Sequence, residues 1–63
     1  MKEWFTAAEL ARLGLPAMPG TKRGVQLMAN REQWFSRPRE GRGGGVEYHF
    51  IHFPKATRVE LAR

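Results

Sequence analysis

Cysteine is absent from the 63 residues. Its absence excludes a disulfide framework and a cysteine-based zinc site, and it fits a reducing cytoplasm. Long apolar runs are also missing: nothing approaches the roughly 20 residues of a membrane span. Glu3, Glu9 and Arg12 interrupt the first thirteen residues, so no signal peptide is visible. Internal repeats and a separating linker are lacking too, which makes residues 1–63 one domain with one core. Folding at this size buries only roughly 60% of the unfolded chain's surface, so stability is marginal and an enzyme cleft of ordinary size has no room.

Catalytic constellations are equally scarce. The six glutamates are scattered, and no two are placed by spacing for acid–base work. Ser36 has no histidine or aspartate that local spacing would bring to it. His49 and His52 lack cysteine and aspartate neighbours, and residues three apart on a strand point to opposite faces. No metal site, no cofactor and no enzyme activity is therefore expected. The glycine run ending at Gly45 lacks the Lys-Ser/Thr of a phosphate-binding P-loop.

Positive charge is abundant instead. The net charge is +5, from 11 Lys/Arg against 6 Asp/Glu. Residues 21–45 contain Lys22, Arg23, Arg31, Arg37, Arg39 and Arg42 against Glu32 and Glu40, which is most of that excess. Such a density implies a polyanionic partner, with nucleic acid ahead of an anionic membrane surface. The membrane reading is the weaker, because the arginines flank glycines rather than an apolar helix face.

The chain order supplies a fold. Trp4-Phe5 suits a short strand. Thr6 and Glu9 form a capping box, and Phe5 and Leu10 are spaced for a hydrophobic staple, so a first helix spans about Ala7–Leu13 with Leu10 and Leu13 inward and Gly14 as its stop. Residues 15–20, LPAMPG, form a turn with Leu15 and Met18 as buried pegs. Thr21 caps a second helix, 21–33. Strands follow at Trp34–Arg37 and over Val46–Ile51, where Val46, Tyr48 and Phe50 alternate with Glu47, His49 and Ile51. Between them lies a long loop, residues 38–45, with four glycines that let the backbone approach a ligand. Pro54 suits the first turn of a last helix carrying Val59 and Leu61. The core candidates are Trp4, Leu10, Leu13, Leu15, Met18, Val25, Met28, Trp34, Tyr48, Phe50, Phe53, Val59 and Leu61. The fold class is α+β: a small winged helix-turn-helix of three helices and a β-hairpin wing, with room for a short N-terminal strand.

The second helix has two faces. Val25, Met28 and Ala29 fall together at 3.6 residues per turn, with Arg23, Gln26 and Asn30 opposite. A polar face is usually just a solvated one. Here it carries a guanidinium and two carboxamides at i, i+3 and i+7, whose donors and acceptors match the major-groove edges of guanine and adenine. A plain solvated loop explains the glycines of the wing but not arginines at 37, 39 and 42. Trp4, Trp34, Tyr48 and Phe50 interleave with other apolar residues and read as core rather than as a stacking platform for single strands. Leu27 lies on the polar side, near Arg23, where three roles stay open: contact with a thymine methyl, packing under the wing, or simple exposure.

Nearly the whole chain resembles the N-terminal DNA-binding domain shared by the transposase and the repressor of bacteriophage Mu and Mu-like prophages. The resemblance lies in Trp4, Gly14-Leu15-Pro16, Pro19, Thr21, Gly24-Val25, Ala29, Trp34, the wing ending in Gly43-Gly44-Gly45, Glu47-Tyr48, Pro54, Arg58 and Leu61. It departs where the family often has glycine just before the tryptophan and this chain has Gln33. The resemblance implies a sequence-specific double-stranded DNA partner in the bacterial cytoplasm, with helix 21–33 in the major groove and wing 37–45 on the minor groove and backbone. It places any catalytic domain and any self-association outside these residues. The DNA-binding set is then Lys22, Arg23, Gln26, Asn30, Arg31, Arg37, Arg39 and Arg42. The rival is a winged-helix protein-interaction module whose basic loop meets an acidic partner.

Overall fold

The structure is a computed structural model describing residues 2–39 and 45–63. Its elements are β1 (Trp4–Thr6), α1 (Ala7–Leu13), α2 (Lys22–Glu32), β2 (Ser36–Pro38), β3 (Val46–His49), a 3-10 turn (Phe50–His52) and α3 (Lys55–Leu61). The strands form an antiparallel sheet in the order β1-β3-β2. Three helices and this small sheet make the expected winged helix-turn-helix.

The capping box at the start of α1 is complete. The Glu9 N–H donates to Thr6 Oγ1 at 3.1 Å, and the Thr6 N–H donates to Glu9 Oε1 at 3.0 Å. Gly14 ends the helix at φ 63°. Leu10 is fully buried, but Leu13, expected inward, is 54% exposed. Ala7, Leu10 and Ala11 set the inward stripe, and Leu13 lies roughly a third of a turn away from its centre.

The 15–20 turn buries Met18 and bends at Ala17, which takes φ 62°. Thr21 then caps α2 by accepting the Gly24 N–H at 3.0 Å. A Cβ on Gly24 would stand 2.8 Å from Pro19 Cβ and 2.9 Å from Thr21 Oγ1, so glycine allows the turn to lie directly on the helix. Val25 and Ala29 are buried and Met28 partly so, as the wheel requires.

The end of α2 is a Schellman motif. Gln33 adopts φ 56°, its N–H donates to Asn30 O, and the Trp34 N–H donates to Ala29 O at 3.0 Å. Gln33 thus takes a left-handed conformation that glycine adopts more readily. This motif also corrects the expected strand at Trp34–Arg37. Trp34 closes the helix and packs edge-on against Tyr48, so pairing begins only at Ser36 and runs to Pro38. Phe35 is left 71% exposed, its ring against the edge of His52.

β3 is shorter than the alternation over Val46–Ile51 suggested. His49 Nδ1 accepts the Ile51 N–H at 3.1 Å and draws Phe50–His52 into a 3-10 turn. Tyr48 pairs with Phe5 on one side and Ser36 on the other, and its buried ring faces the helices. Of the expected core, Val59 is exposed, while Trp4, Leu15, Met28, Phe50 and Leu61 are only partly buried. Pro54 is the N-cap of α3 rather than part of its first turn. The inward stripe of α3 is Thr57 and Leu61, four residues apart, which is why Val59 points outward.

Candidate nucleic-acid interface

Burial of Val25 and Ala29 turns the opposite side of α2 to solvent, where Arg23, Gln26 and Asn30 are exposed, with Lys22 exposed in the first turn and Arg31 exposed on the flank. Arg31 Nε lies 3.3 Å from Glu32 Oε2 with both side chains largely exposed. Such a surface pair is worth about 0–1 kcal/mol and leaves the guanidinium free to exchange partners. Leu27 is 57% exposed on the same side.

The strand register brings the foot of the wing to this helix. Pro38 pairs with Val46, and the Arg39 N–H donates to Gly45 O at 3.0 Å, with Gly45 at φ 85°. A cleft of about 180 Å³ lies between the two elements. Lys22 and Gln26 line one wall, Arg39, Gly45 and Val46 the other, and Thr6, Ala7 and Ala8 the rest. Among the described residues the lining has two cations and no carboxylate. Among the described residues Lys22, Arg23 and Arg39 make no ion pair.

Glu9, in the first turn of α1 just beyond the Thr6–Ala8 wall, is already partnered. Burial pushes the Glu9 carboxyl upward, but hydrogen bonds from the Lys2 ammonium and the Thr6 backbone N–H outweigh that and hold its pKa below the ordinary value. Glu9 stays an ionised cap, neutralised by Lys2, rather than an acid facing the cleft.

The structure brings together Lys22, Gln26 and Arg39, with Arg23, Asn30 and Arg31 continuing along the exposed side of α2. Arg37 is not in the lining of this cleft; with Pro38, Arg39 and Glu47 it borders a second one. Its Nε donates to Glu47 Oε1 at 3.1 Å, and its guanidinium carbon sits 4.3 Å from the centroid of the Trp4 ring. Arg42 and residues 40–44 lie outside the described residues. Both histidines have structural contacts: His49 as above, and His52 against Phe35, with His52 Nε2 buried and unpartnered among the described residues. Sequence reasoning read Thr6–Ala8 only as a helix start and missed it as a wall of the cleft. It also missed Trp4 as the platform under Arg37. No local signal marks either, since both follow from strand register. No helix among the described residues is long and apolar enough to cross a membrane.

A family described as the Mu DNA-binding domain matches residues 10–63. The Mu-like prophage FluMu transposase A of Haemophilus influenzae is 38% identical over 61 residues, which is 97% of this chain and 9% of that protein. The chain thus spans less than a tenth of that relative's length. No solved structure matches it.

Proposed function

The chain belongs to the Mu DNA-binding domain family, and from that premise we propose that residues 1–63 are a single winged helix-turn-helix module that binds a specific double-stranded DNA sequence. In this reading α2 enters the major groove. Gln26 and Asn30 read base edges, with Arg23 and Arg31 beside them, and Lys22 holds a phosphate. The wing follows the backbone into the adjacent minor groove, led by Arg39 and Arg42. The observation that carries the proposal is the cleft between α2 and the foot of the wing, where Lys22, Gln26 and Arg39 converge with no carboxylate among the described residues. A protein-interaction module has no corresponding support.

The parent protein is, in the same reading, a Mu-like prophage transposase rather than a repressor, since the relative is a transposase. The module itself performs no chemistry. It anchors the recombinase to its DNA in the bacterial cytoplasm, and catalysis belongs to another region of the parent.

The test is binding to a duplex selected from a random pool, measured against excess random competitor over a range of salt. With about four phosphates neutralised, log K falls against log salt with a slope near −3.6. Gln26→Ala or Asn30→Ala costs about 1–3 kcal/mol at one base position and relaxes preference there. Lys22→Ala weakens all sequences alike. Salt-independent affinity, or full discrimination in both carboxamide variants, rules the reading out.

A further inference from the structure

β2 is a weak foot for a wing. It has three residues, all exposed, and the last of them, Pro38, has no N–H to give to β3. Its side chains supply what the ladder lacks. On the outer face of the sheet, away from Phe5 and Tyr48, a connected row crosses all three strands. Trp4 on β1 pairs with His49 on β3 and meets its ring edge-on at 4.9 Å. Arg37 on β2 is directly opposite Glu47 on β3, which neighbours Trp4 diagonally. The Arg37 guanidinium lies 4.3 Å over the Trp4 ring while its Nε donates to Glu47 Oε1 at 3.1 Å. The outer end of the row is held by Glu3, whose Oε2 is 3.3 Å from His49 Nε2.

This arrangement uses the guanidinium twice, as a cation over the Trp4 ring and as an Nε–H donor to Glu47. A lysine ammonium is a compact point charge on a flexible stem and lacks the fixed donor geometry that makes both contacts at once. It also sets Arg37 beside a carboxylate whose side chain is only 17% exposed, where an approaching phosphate meets repulsion. Lys22 and Arg39 line a cleft that has no carboxylate among the described residues, although Arg39 also borders a second cleft with Arg37 and Glu47. Given the DNA-binding reading above, we infer that Arg37 is a positioning residue: it ties β2 to Trp4 and Glu47 and so aims the foot of the wing, Arg39 above all, at the α2 cleft, without itself neutralising a phosphate.

Two measurements on the whole chain test this, with Arg37→Gln, Arg37→Lys and, as a phosphate-contact reference, Lys22→Gln. The first is amide hydrogen exchange in the free protein. Both Arg37 variants lose protection at the Arg39 N–H, which bonds to Gly45 O, while the Trp34 N–H, bonded to Ala29 O, keeps its protection. The second is salt-dependent affinity for a short random-sequence duplex. Both Arg37 variants bind about fivefold more weakly, the weight of one exposed cation–π contact, with the wild-type salt slope. Lys22→Gln instead lowers the slope by about 0.9. The inference is overturned if Arg37→Lys binds like wild type while Arg37→Gln loses about 0.9 of slope, or if Arg39 keeps its protection in both variants. Should the wild-type chain bind no duplex at all, the DNA reading falls, and the exchange measurement still decides whether Arg37 holds the wing's foot.

Discussion

Thr57 Oγ1 donates to the carbonyl oxygen of Pro16 at 2.6 Å, joining α3 to the turn between α1 and α2. Thr57 is fully buried, so removing its hydroxyl leaves a carbonyl without that partner in a dry site. Thr57→Val keeps the volume and is expected to lose about 1–3 kcal/mol in urea unfolding. Thr57→Ser, which keeps the donor, loses less than the valine variant. Equal losses in the two would assign the effect to packing alone.

Gly24 is a helix residue whose replacement by alanine ought to help by propensity, by about 1 kcal/mol. The contacts at 2.8 and 2.9 Å to Pro19 and Thr21 oppose this. Pro19 is a rigid ring and Thr21 is the helix cap, so neither yields cheaply. Overpacking of this kind costs about 1–3 kcal/mol, and Gly24→Ala is expected to be destabilising overall. A thermal melt showing a higher Tm than wild type would mean that the turn moves aside.

The reverse holds at Gln33 and Ala17, whose φ angles are 56° and 62°. A residue with a Cβ is strained there, and glycine is not. Gln33→Gly and Ala17→Gly are each expected to stabilise by about 1 kcal/mol after the added unfolded-state entropy is counted. For a chain of this size that is about 4–8 °C in Tm. The double variant tests whether the two effects add.

Glu9 gives a pH signature. Its folded pKa lies below its unfolded value, because Lys2 and the Thr6 N–H outweigh the cost of burial. On acidification the unfolded chain takes up this proton first. The stability Glu9 contributes is therefore complete above the ordinary carboxylate value of about 4.3 and is lost as pH falls through the folded pKa. The gap in urea midpoint between wild type and Glu9→Gln is expected to be present at neutral pH and to shrink in strong acid. A gap that grows toward low pH contradicts the assignment.

Short-range chemistry was legible in the chain. The Thr6–Glu9 box, the Gly14 stop and the Thr21 cap are each decided by backbone groups within a few residues, so the sequence by itself determined α1 and the start of α2. Periodicity determined the inward residues Val25 and Ala29, and with them which side of α2 faces outward. The clustering of cations between residues 21 and 42 pointed to a polyanion without any coordinates. Tertiary structure decided what depends on register and on packing between distant segments. Leu13 and Val59 are apolar but lie off the stripes that the neighbouring elements cover. The last turn of α2 drew Trp34 out of a strand, and the His49 side chain ended β3 early. Arg37 and Arg39 look equivalent in sequence, two basic residues on either side of Pro38. Pairing across β1, β3 and β2 gives one of them a tryptophan face and a carboxylate, and sets the other at the cleft beside Lys22, because cross-strand neighbours are chosen by register and not by proximity along the chain.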